Sequence, residues 1–393
     1  MTEIKKNHVI EQQRYLSDDL ILYEILIRLP VKSILRFKSV SKLWYSTLSS
    51  SKFANYYLTK FRISSPSAPV NTLFIESCRN YYLFSYDDAK NSGKLKDKCV
   101  KLDIDFGVEG YFNFTGCCNG LICLTHDSDK FFVLWNPATR KLHKYESDAF
   151  LNPFNILNPN PPIATGFGYV SSEDDYKYVR ILTLSLETVP VSSNIVHIYS
   201  IRKNKWRKID FDDNAVFPYG QPVLFNEKLY WAGYRKQGAT KFNHHIFCFD
   251  LRLEKINVIR LNLDDFVYLG VMGGCLIKLN YEKNKGHKLK MQIMDKSPMI
   301  ETSFRFPKGM VLDISSQMVA YTKTGSFFVT GSSIEVVKSG NAHRTALWLV
   351  DAGMKPMKCT TLLKFTDSII ISSYVPSLLS PFPIEELSEA QRR

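Results

Sequence analysis

The first part of the chain places apolar residues at helical spacing. Four of them recur at i, i+3, i+4 and i+7 and predict one apolar stripe on a helix: Leu22, Ile25, Leu26 and Leu29. Ser17 stands where an N-cap is expected, and Pro30 ends the helix. Shorter apolar patterns within residues 31–37 and 40–48 predict two further helices. Three such helices bury only a thin core, so we expect this module to share apolar surface with a partner or with the following domain.

The rest of the chain changes to short apolar runs separated by turn residues. Residues 131–142 predict a strand–turn–strand unit, which recurs at 196–209 and 246–259. Each unit follows another strand pair, as at Asn119-Gly120, where both residue types accept a positive φ. Four strands roughly every 50 residues predict a β-propeller of about six irregular blades. A β-sandwich or a looser kelch-like array is the alternative.

Composition places the chain among ordinary globular proteins. Of its 393 residues, 45% are hydrophobic and 23% are charged, and the 13% aromatic content favours strands. The polar start, MTEIKKNHVIEQQRY, lacks the apolar region of a secretory signal, and no run of 18 apolar residues predicts a membrane span. The eight cysteines are scattered without a CxxC pair. We therefore expect reduced thiols and a location in the cytoplasm, the nucleus or both.

The helical segment, LSDDLILYEILIRLPVKSILRFKSVSKLWYSTLSSSKF, resembles a plant F-box. The matching positions are Leu16, Asp19, Leu20, Glu24, Ile25, Leu26, Arg28, Leu29, Pro30, Val31, Lys32, Ser33, Arg36, Phe37, Lys38, Val40, Ser41, Lys42 and Trp44. One position departs from the family pattern, because Ser17 stands where the family has a proline. Serine is the better helix cap but supplies less rigid apolar surface.

The resemblance implies that this module binds a Skp-type adaptor, which links it to cullin and RING subunits. The expected adaptor-binding residues are Leu16, Leu20, Ile25, Leu29, Pro30, Val31, Leu35, Val40 and Trp44. Pro30 and Val31 are expected at an exposed turn between helices, whereas Ile25 and Leu35 fit the core of the module equally well. Anchors at helical spacing also agree with recognition of a helix in a groove.

The region of strands resembles the F-box-associated domain of the same plant family, a kelch-like β-domain. The resemblance lies in GCCNGLIC at 116–123, WNPATR at 135–140, GFGY at 166–169 and DYKYV at 175–179. We assign these strings to the fold, with Trp135 as a core anchor. Length and layout resemble the S-locus F-box group of self-incompatibility, while relatives also act in immunity and in hormone or stress responses. No residue selects among these pathways.

These patterns divide the chain into five predicted segments. They are a disordered N-terminus at 1–14, the F-box at 15–60, a linker at 61–71, the propeller-like domain at 72–376 and a C-terminal tail at 377–393.

No pattern predicts an enzyme, a cofactor or a metal site. The G-x-S-x-G, Walker and H-E-x-x-H motifs are all missing from the sequence. His244-His245 is the only histidine pair. Neighbours in a strand point to opposite faces, so the two cannot easily share a metal, and we expect the pair on a surface loop. Cys117, Cys118 and Cys123 are expected to be buried thiols.

The formal net charge of +13 favours an acidic partner. The chain has a basic run at 202–208 that surrounds Trp206. Strand alternation predicts that the indole points inward and the cations lie in solvent. Nucleic acid is therefore not the expected partner. We expect loops of the β-domain, including an insertion at 146–165, to contact a target protein. The sequence thus predicts the substrate-recognition subunit of an SCF-type cullin–RING ubiquitin ligase. The alternatives are a propeller scaffold without an adaptor, motivated by Ser17, and a glycan- or nucleic-acid-binding module.

Overall fold

The computed structural model describes most of the two predicted domains. The described residues are 16–64, 72–85, 99–146, 163–185, 192–211, 217–237, 241–261, 267–272, 274–282, 288–294, 301–305, 310–311, 318–321, 326–337, 340–351, 358–365 and 367–381. The predicted disordered N-terminus and most of the predicted 146–165 insertion lie outside these residues. The chain divides into two compact units, Met1–Ser64 and Ser65–Arg393.

The first unit is helical throughout its described residues. Its elements are α1 (Asp18–Leu20), a π-helical turn (Ile21–Ile25), a 3₁₀ turn (Leu26–Arg28), α2 (Val31–Phe37), α3 (Lys42–Ser49) and α4 (Ser51–Ser64). The predicted all-α module is confirmed, and α4 adds a fourth helix to the three predicted. It continues the chain into the segment predicted as a linker.

Serine caps define where these helices begin. The Ser17 hydroxyl accepts the Leu20 N–H at 3.4 Å, as predicted, and Ser41 does the same for Trp44 at 3.1 Å. The π turn, in which the Leu26 N–H bonds to the Ile21 carbonyl, breaks the regular stripe predicted for this region. Leu22 and Leu26 remain buried, whereas Ile25 turns outward.

The second unit consists of six antiparallel sheets, which we number as blades in chain order. Blade 1 contains β1 (Thr72–Ser77), β2 (Asn80–Ser85), β3 (Cys99–Leu102) and β25 (Ile369–Ser373). Blade 2 contains β4 (Phe112–Cys118), β5 (Leu121–His126), β6 (Phe131–Asn136) and β7 (Lys141–Glu146). Blade 3 contains β8 (Ile163–Val170), β9 (Asp175–Ser185), β10 (Ser192–Ser200) and β11 (Lys205–Phe211).

The remaining blades follow the same plan. Blade 4 contains β12 (Phe217–Phe225), β13 (Lys228–Gln237), β14 (Lys241–Asp250) and β15 (Lys255–Arg260). Blade 5 contains β16 (Val267–Met272), β17 (Cys275–Glu282), β18 (Lys288–Ile293) and β19 (Glu301–Arg305). Blade 6 contains β20 (Met310–Val311), β21 (Met318–Tyr321), β22 (Ser326–Val337), β23 (Gly340–Asp351) and β24 (Lys358–Phe365).

The inner strands close a ring. They contact one another in the order β4, β8, β12, β16, β21 and β25, and β25 returns to β4. Blade 1 takes its inner strand from the end of the chain, since β25 pairs with β1 from Leu73↔Ser373 to Ser77↔Ile369. The predicted six-bladed β-propeller is therefore confirmed, and the sandwich alternative is excluded.

Successive strands of a blade run in opposite directions, so their connections lie alternately on the two faces of the propeller. The turn face carries the short turns at 119–120, 137–140, 171–174, 201–204, 226–227 and 251–254. The loop face carries the turns at 78–79 and 127–130 and the 103–111 connection from blade 1 to blade 2. β1 begins and β25 ends at the turn face.

A repeated turn links the third and fourth strands on the turn face. Asn136 accepts the N–H groups of the next turn residues through Oδ1, at 3.0 and 3.3 Å, and Asp250 does so at 3.1 and 2.8 Å. The last turn residue has a positive φ of 57° at Arg140, 49° at Asn204 and 52° at Glu254. The hairpins predicted at these positions are confirmed.

Aromatic side chains fill the spaces between blades. Trp135 is buried at the edge of Phe74 and Tyr81, with ring centroids 6.4 and 6.0 Å away, which confirms its predicted role as a core anchor. Between blades 2 and 3, Phe132 stacks on Tyr178 at 4.2 Å. These contacts join successive blades into one core.

One prediction about polar residues is wrong. His244 and His245 are not on a surface loop, because both lie buried in β14, the third strand of blade 4. His244 faces Tyr219, with Nδ1 3.5 Å from the hydroxyl, and His245 Nδ1 lies 2.8 Å from the Asn243 carbonyl oxygen. The sequence predicted a strand only from residue 246, whereas β14 begins at Lys241 and therefore includes both histidines.

The chain continues past β25 as an extended segment over the turn face of blade 2. The Asn136 amide donates to the carbonyl oxygens of Ser377 and Leu379 at 3.1 and 2.8 Å. The Tyr145 hydroxyl donates to the Pro381 carbonyl oxygen at 2.6 Å. Residues 374–381 therefore form a strap that is part of the folded propeller, although the sequence predicted a tail from residue 377.

Candidate functional site

Large apolar side chains lie in solvent on the helical unit. Among the predicted adaptor-binding residues, Leu16 is 59% exposed, Leu20 49%, Ile25 46% and Val40 58%. Leu43 and Tyr45 are also exposed. We call these six residues the apolar face. The described part of the much larger propeller exposes only four comparable side chains: Val100, Val108, Tyr111 and Leu253.

Trp44 connects two parts of the apolar face. Its indole N–H donates to the Asp18 carboxylate at 2.9 Å, which joins α3 to α1. The ring also packs on Phe37, with centroids 6.0 Å apart. Leu20 on α1 and Leu43 on α3 therefore belong to neighbouring helices rather than to opposite sides of the unit.

The remaining predicted residues divide between surface and core. Pro30 is exposed, and Leu29 and Leu35 are half-buried. Val31 was expected at an exposed turn, and that expectation is wrong because Val31 is only 4% exposed. It begins α2 and belongs to the buried residues of the unit with Leu22 and Leu26. Val31 therefore packs in the core of the helical unit rather than on its surface.

A cleft opens on the loop face between blade 1 and the 103–111 connection. Its volume is about 550 Å³, and Arg79, Lys101, Asp103 and Tyr111 are among the residues that line it. That volume lies in the range of ligand pockets, roughly 300–1,000 Å³. Sequence reasoning missed this site, because its residues belong to no recognisable motif.

Close packing fixes the wall and floor of the cleft. Phe106 stacks on Phe112 with ring centroids 4.1 Å apart, and the buried Tyr81 hydroxyl donates to the Phe112 carbonyl oxygen at 3.1 Å. The His126 Nε2 atom lies 2.8 Å from the Glu109 carbonyl oxygen. The Asp127 N–H donates to the Tyr111 carbonyl oxygen at 2.8 Å. The 103–111 connection is thus held to blade 2 at several points.

The turn beside the cleft has an unfavourable backbone. Cys78 and Arg79 have φ values of 48° and 64°, although neither is Gly or Asn. A left-handed conformation costs about 1–2 kcal/mol for an ordinary residue. The Asn80 amide donates to the Cys78 carbonyl oxygen at 2.9 Å, and the Cys78 thiol donates to Asp367 at 2.5 Å. These contacts hold the strained turn in place.

Glu76 lies two residues before that turn, between blades 1 and 2. Its carboxylate accepts the Phe114 N–H at 3.0 Å. Burial raises the pKa of Glu76 from 4.5 to about 7, and the bond from Phe114 opposes that rise only in part. The folded protein therefore binds a proton at Glu76 over a pH range in which the unfolded chain does not.

Glu76→Gln should change the pH dependence of stability. Because the folded pKa is raised, the charge of Glu76 opposes folding increasingly as pH rises from 4.5 to 7. Between pH 5.5 and 8.5 we expect the variant to gain about 2 kcal/mol relative to the unaltered chain, measured by urea unfolding. Glu109→Gln is the control, because Glu109 is exposed in the 103–111 connection on the loop face. Parallel pH profiles for Glu76→Gln and the unaltered chain would contradict this expectation.

Polar groups cross the boundary between blades 2 and 3. The Thr115 and Thr125 hydroxyls are 2.6 Å apart, and Thr125 lies 3.1 Å from the Tyr178 hydroxyl. The buried Arg180 guanidinium pairs with Asp129. Burial raises the pKa of Asp129 to about 6, although Arg180 opposes the rise. These groups hold blades 2 and 3 together.

A charged cluster joins blades 3 and 4 at the turn face. Lys177 is 2% exposed at its side chain, and its Nζ donates to Glu254 at 2.9 Å and to Glu173 at 3.1 Å. It also donates to the Leu251 carbonyl oxygen at 2.8 Å. Nearby, Asp175 accepts the Arg202 N–H at 2.8 Å. This cluster explains two of the residues in the DYKYV string as parts of the fold.

Within the described ranges, no three His, Cys, Asp or Glu side chains are grouped so that they could hold a metal ion. In the same part of the chain, no helix has the length and apolar character needed to cross a bilayer.

Comparison with known families matches both units. The F-box domain family matches residues 16–56, and the F-box associated beta propeller domain family matches residues 58–381. The chain belongs to the F-box associated β-propeller family. The F-box match covers all nine predicted adaptor-binding residues, and the propeller match extends through the strap.

This chain is similar to plant F-box proteins along part of their length. F-box/kelch-repeat protein At3g23880 of Arabidopsis thaliana is 31% identical over 229 residues, 53% of this chain and 56% of that protein. F-box protein CPR1 of Arabidopsis thaliana is 27% identical over 295 residues, 67% of this chain and 66% of that protein. The match thus spans between about half and two thirds of these relatives.

Proposed function

We propose that this chain is the substrate-recognition subunit of an SCF-type cullin–RING ubiquitin ligase. Its F-box unit binds a Skp-type adaptor, and its propeller binds a protein target. The observation that carries the proposal is the apolar face, because a helical unit of this size that exposes six large apolar side chains has the character of a docking surface. The F-box family match over residues 16–56 supports the choice of adaptor.

In this proposal the chain performs no covalent chemistry. It holds the target near an E2 enzyme charged with ubiquitin, which raises the effective concentration of target lysines. The seven cysteines whose side chains the structure describes are all free, which supports action in the cytoplasm, the nucleus or both. The net charge of +13 favours an acidic target, so target binding should weaken as salt rises.

Leu20→Asp combined with Val40→Asp should abolish capture of a Skp-type adaptor. Burying one Leu or Val side chain in an interface contributes about 1.5–3 kcal/mol, and a buried carboxylate adds a desolvation cost, so we expect a loss of more than about 100-fold in affinity. The measurement is co-purification, followed by calorimetry, of the full chain with adaptor. Both positions are exposed, so the fold should survive, whereas Val31→Asp would place a charge in the core.

Leu253→Asp is the matched control, because Leu253 is an exposed apolar residue of the propeller. It should leave adaptor capture unchanged. If the unaltered chain binds no Skp-type adaptor, the proposal fails and the alternative of an adaptor-free propeller scaffold takes its place.

A further inference from the structure

The propeller presents one arginine whose position is fixed and whose hydrogen-bonding groups are open. The Arg79 guanidinium carbon lies 3.1 Å from the centroid of the Tyr111 ring, so the planar group is stacked on an exposed aromatic face. Among the described residues, Arg79 makes no ion pair and no side-chain hydrogen bond. Stacking occupies the face of a guanidinium and leaves its edge, with the N–H donors, directed outward.

The backbone at Arg79 does not by itself distinguish this residue. A two-residue hairpin turn with positive φ favours Asn and Gly, as at Asn119-Gly120 on the turn face. Cys78 and Arg79 occupy the same kind of turn at a cost in strain, and Glu227 holds the corresponding position with a φ of 57°. What distinguishes Arg79 is an exposed guanidinium held on the ring of Tyr111.

The surroundings define what the guanidinium can recognise. Three of the four exposed large apolar side chains in the described propeller are Val100, Val108 and Tyr111, and all belong to β3 or the adjoining connection. Lys101 lines the same cleft together with Asp103 and Asp105, so its charge is mixed. The Asp103 carboxylate repels a dense polyanion such as RNA. A ligand with a single carboxylate between apolar side chains fits better, because the carboxylate can pair with the N–H donors of Arg79 while its neighbours contact the exposed apolar residues.

We propose that this cleft is the target-recognition site and that it binds an extended protein segment in which one Asp or Glu is flanked by apolar residues. Arg79 receives the carboxylate in a bidentate hydrogen-bonded pair, and the Tyr111 ring receives a neighbouring apolar side chain. The site is organised before binding, because the 103–111 connection is fixed by His126, Asp127 and Phe112. This inference rests on the proposed function of the propeller as a target-binding domain.

The test uses the full chain and pools of synthetic peptides of about nine residues, random except for a central Asp, Glu, Asn or Lys flanked by Leu. Binding is measured by fluorescence anisotropy. We expect the Asp and Glu pools to bind more tightly than the Asn pool, and the Lys pool to bind least. Equal binding of the Asp and Asn pools would overturn the proposal.

Arg79→Gly separates recognition from folding. Glycine accepts the positive φ of this position, so the melting temperature should stay the same or rise, while affinity for the acidic pools falls about tenfold or more. Arg79→Lys should recover little, because a lysine cannot form the planar bidentate pair. Arg252→Ala, which removes an exposed arginine of the turn face, is the matched control and should keep full binding.

Three results would contradict the assignment. They are undiminished peptide binding by Arg79→Gly, an equal loss in Arg252→Ala, and displacement of the peptides by a single-stranded RNA with a steep salt dependence. Adaptor capture is measured on the same samples. If adaptor capture persists while peptide selectivity is absent, this inference fails and the ligase proposal stands. If peptide selectivity persists without adaptor capture, the ligase proposal fails and this inference stands.

Discussion

Lys177→Met is expected to lower the free energy of unfolding by about 3–5 kcal/mol, because it removes one partner of a buried ion pair. Methionine keeps the length of the aliphatic stem, so the loss reports mainly on the charge and its bonds. Without the ammonium group, Glu254 and the Leu251 carbonyl oxygen lose the donor that lies 2.9 and 2.8 Å away. Urea unfolding followed by tryptophan fluorescence gives the measurement.

Lys203→Met is the matched control for that prediction. Lys203 lies 3.9 Å from Glu173, but its side chain is 68% exposed. Exposed ion pairs contribute about 0–1 kcal/mol, so this variant should be close to neutral. Equal losses in the two variants would show that the connection between blades 3 and 4 does not depend on the buried ammonium group.

Asn136→Ala is expected to cost about 3–4 kcal/mol, since it leaves buried backbone groups without partners. One side chain caps the 137–140 turn through Oδ1 and holds the strap through Nδ2. The residue is fully buried, so water cannot replace the lost bonds without entering the interface. Thermal unfolding of the variant, compared with the exposed control Asn113→Ala, measures the loss.

Shortening the chain tests the same contact from the other side. In a chain that ends at residue 376, the strap bonds of Asn136 are already missing, because Ser377 and Leu379 are absent. Asn136→Ala should therefore cost less in the shortened chain than in the full one, as in a double-mutant cycle. Identical costs in both would mean that Asn136 acts only through its turn.

Sequence reasoning succeeded where the structural signal is local. The hairpins at 119–120 and 137–140 were predictable because residue type and positive φ are linked within a few residues. The Ser17 cap was predictable for the same reason, since its partner is three residues away. The blade count followed from repetition of these local units.

It failed where a side chain depends on a distant partner. Lys177 looks like a surface lysine until Glu254, 77 residues later, is placed beside it. Ile25, which the sequence left equally open to core and surface, is exposed where a π turn alters the helical phase, and no simple pattern marks that turn. Val31, expected at an exposed turn, is buried at the start of α2. Arg79 belongs to no motif, and its stacking on Tyr111 is what distinguishes it.

The closure of blade 1 has a consequence for how the protein is made. During synthesis, the ring has an open edge at β1 until Ile369–Ser373 emerges to pair with it. Unpaired strand edges promote aggregation, so a nascent chain stays vulnerable until β25 is translated. A premature stop between the F-box and β25 yields a product that contains the F-box sequence yet lacks a closed propeller. Under the proposed function, such truncated products are expected to compete for adaptor without delivering a target, and so to inhibit the intact protein.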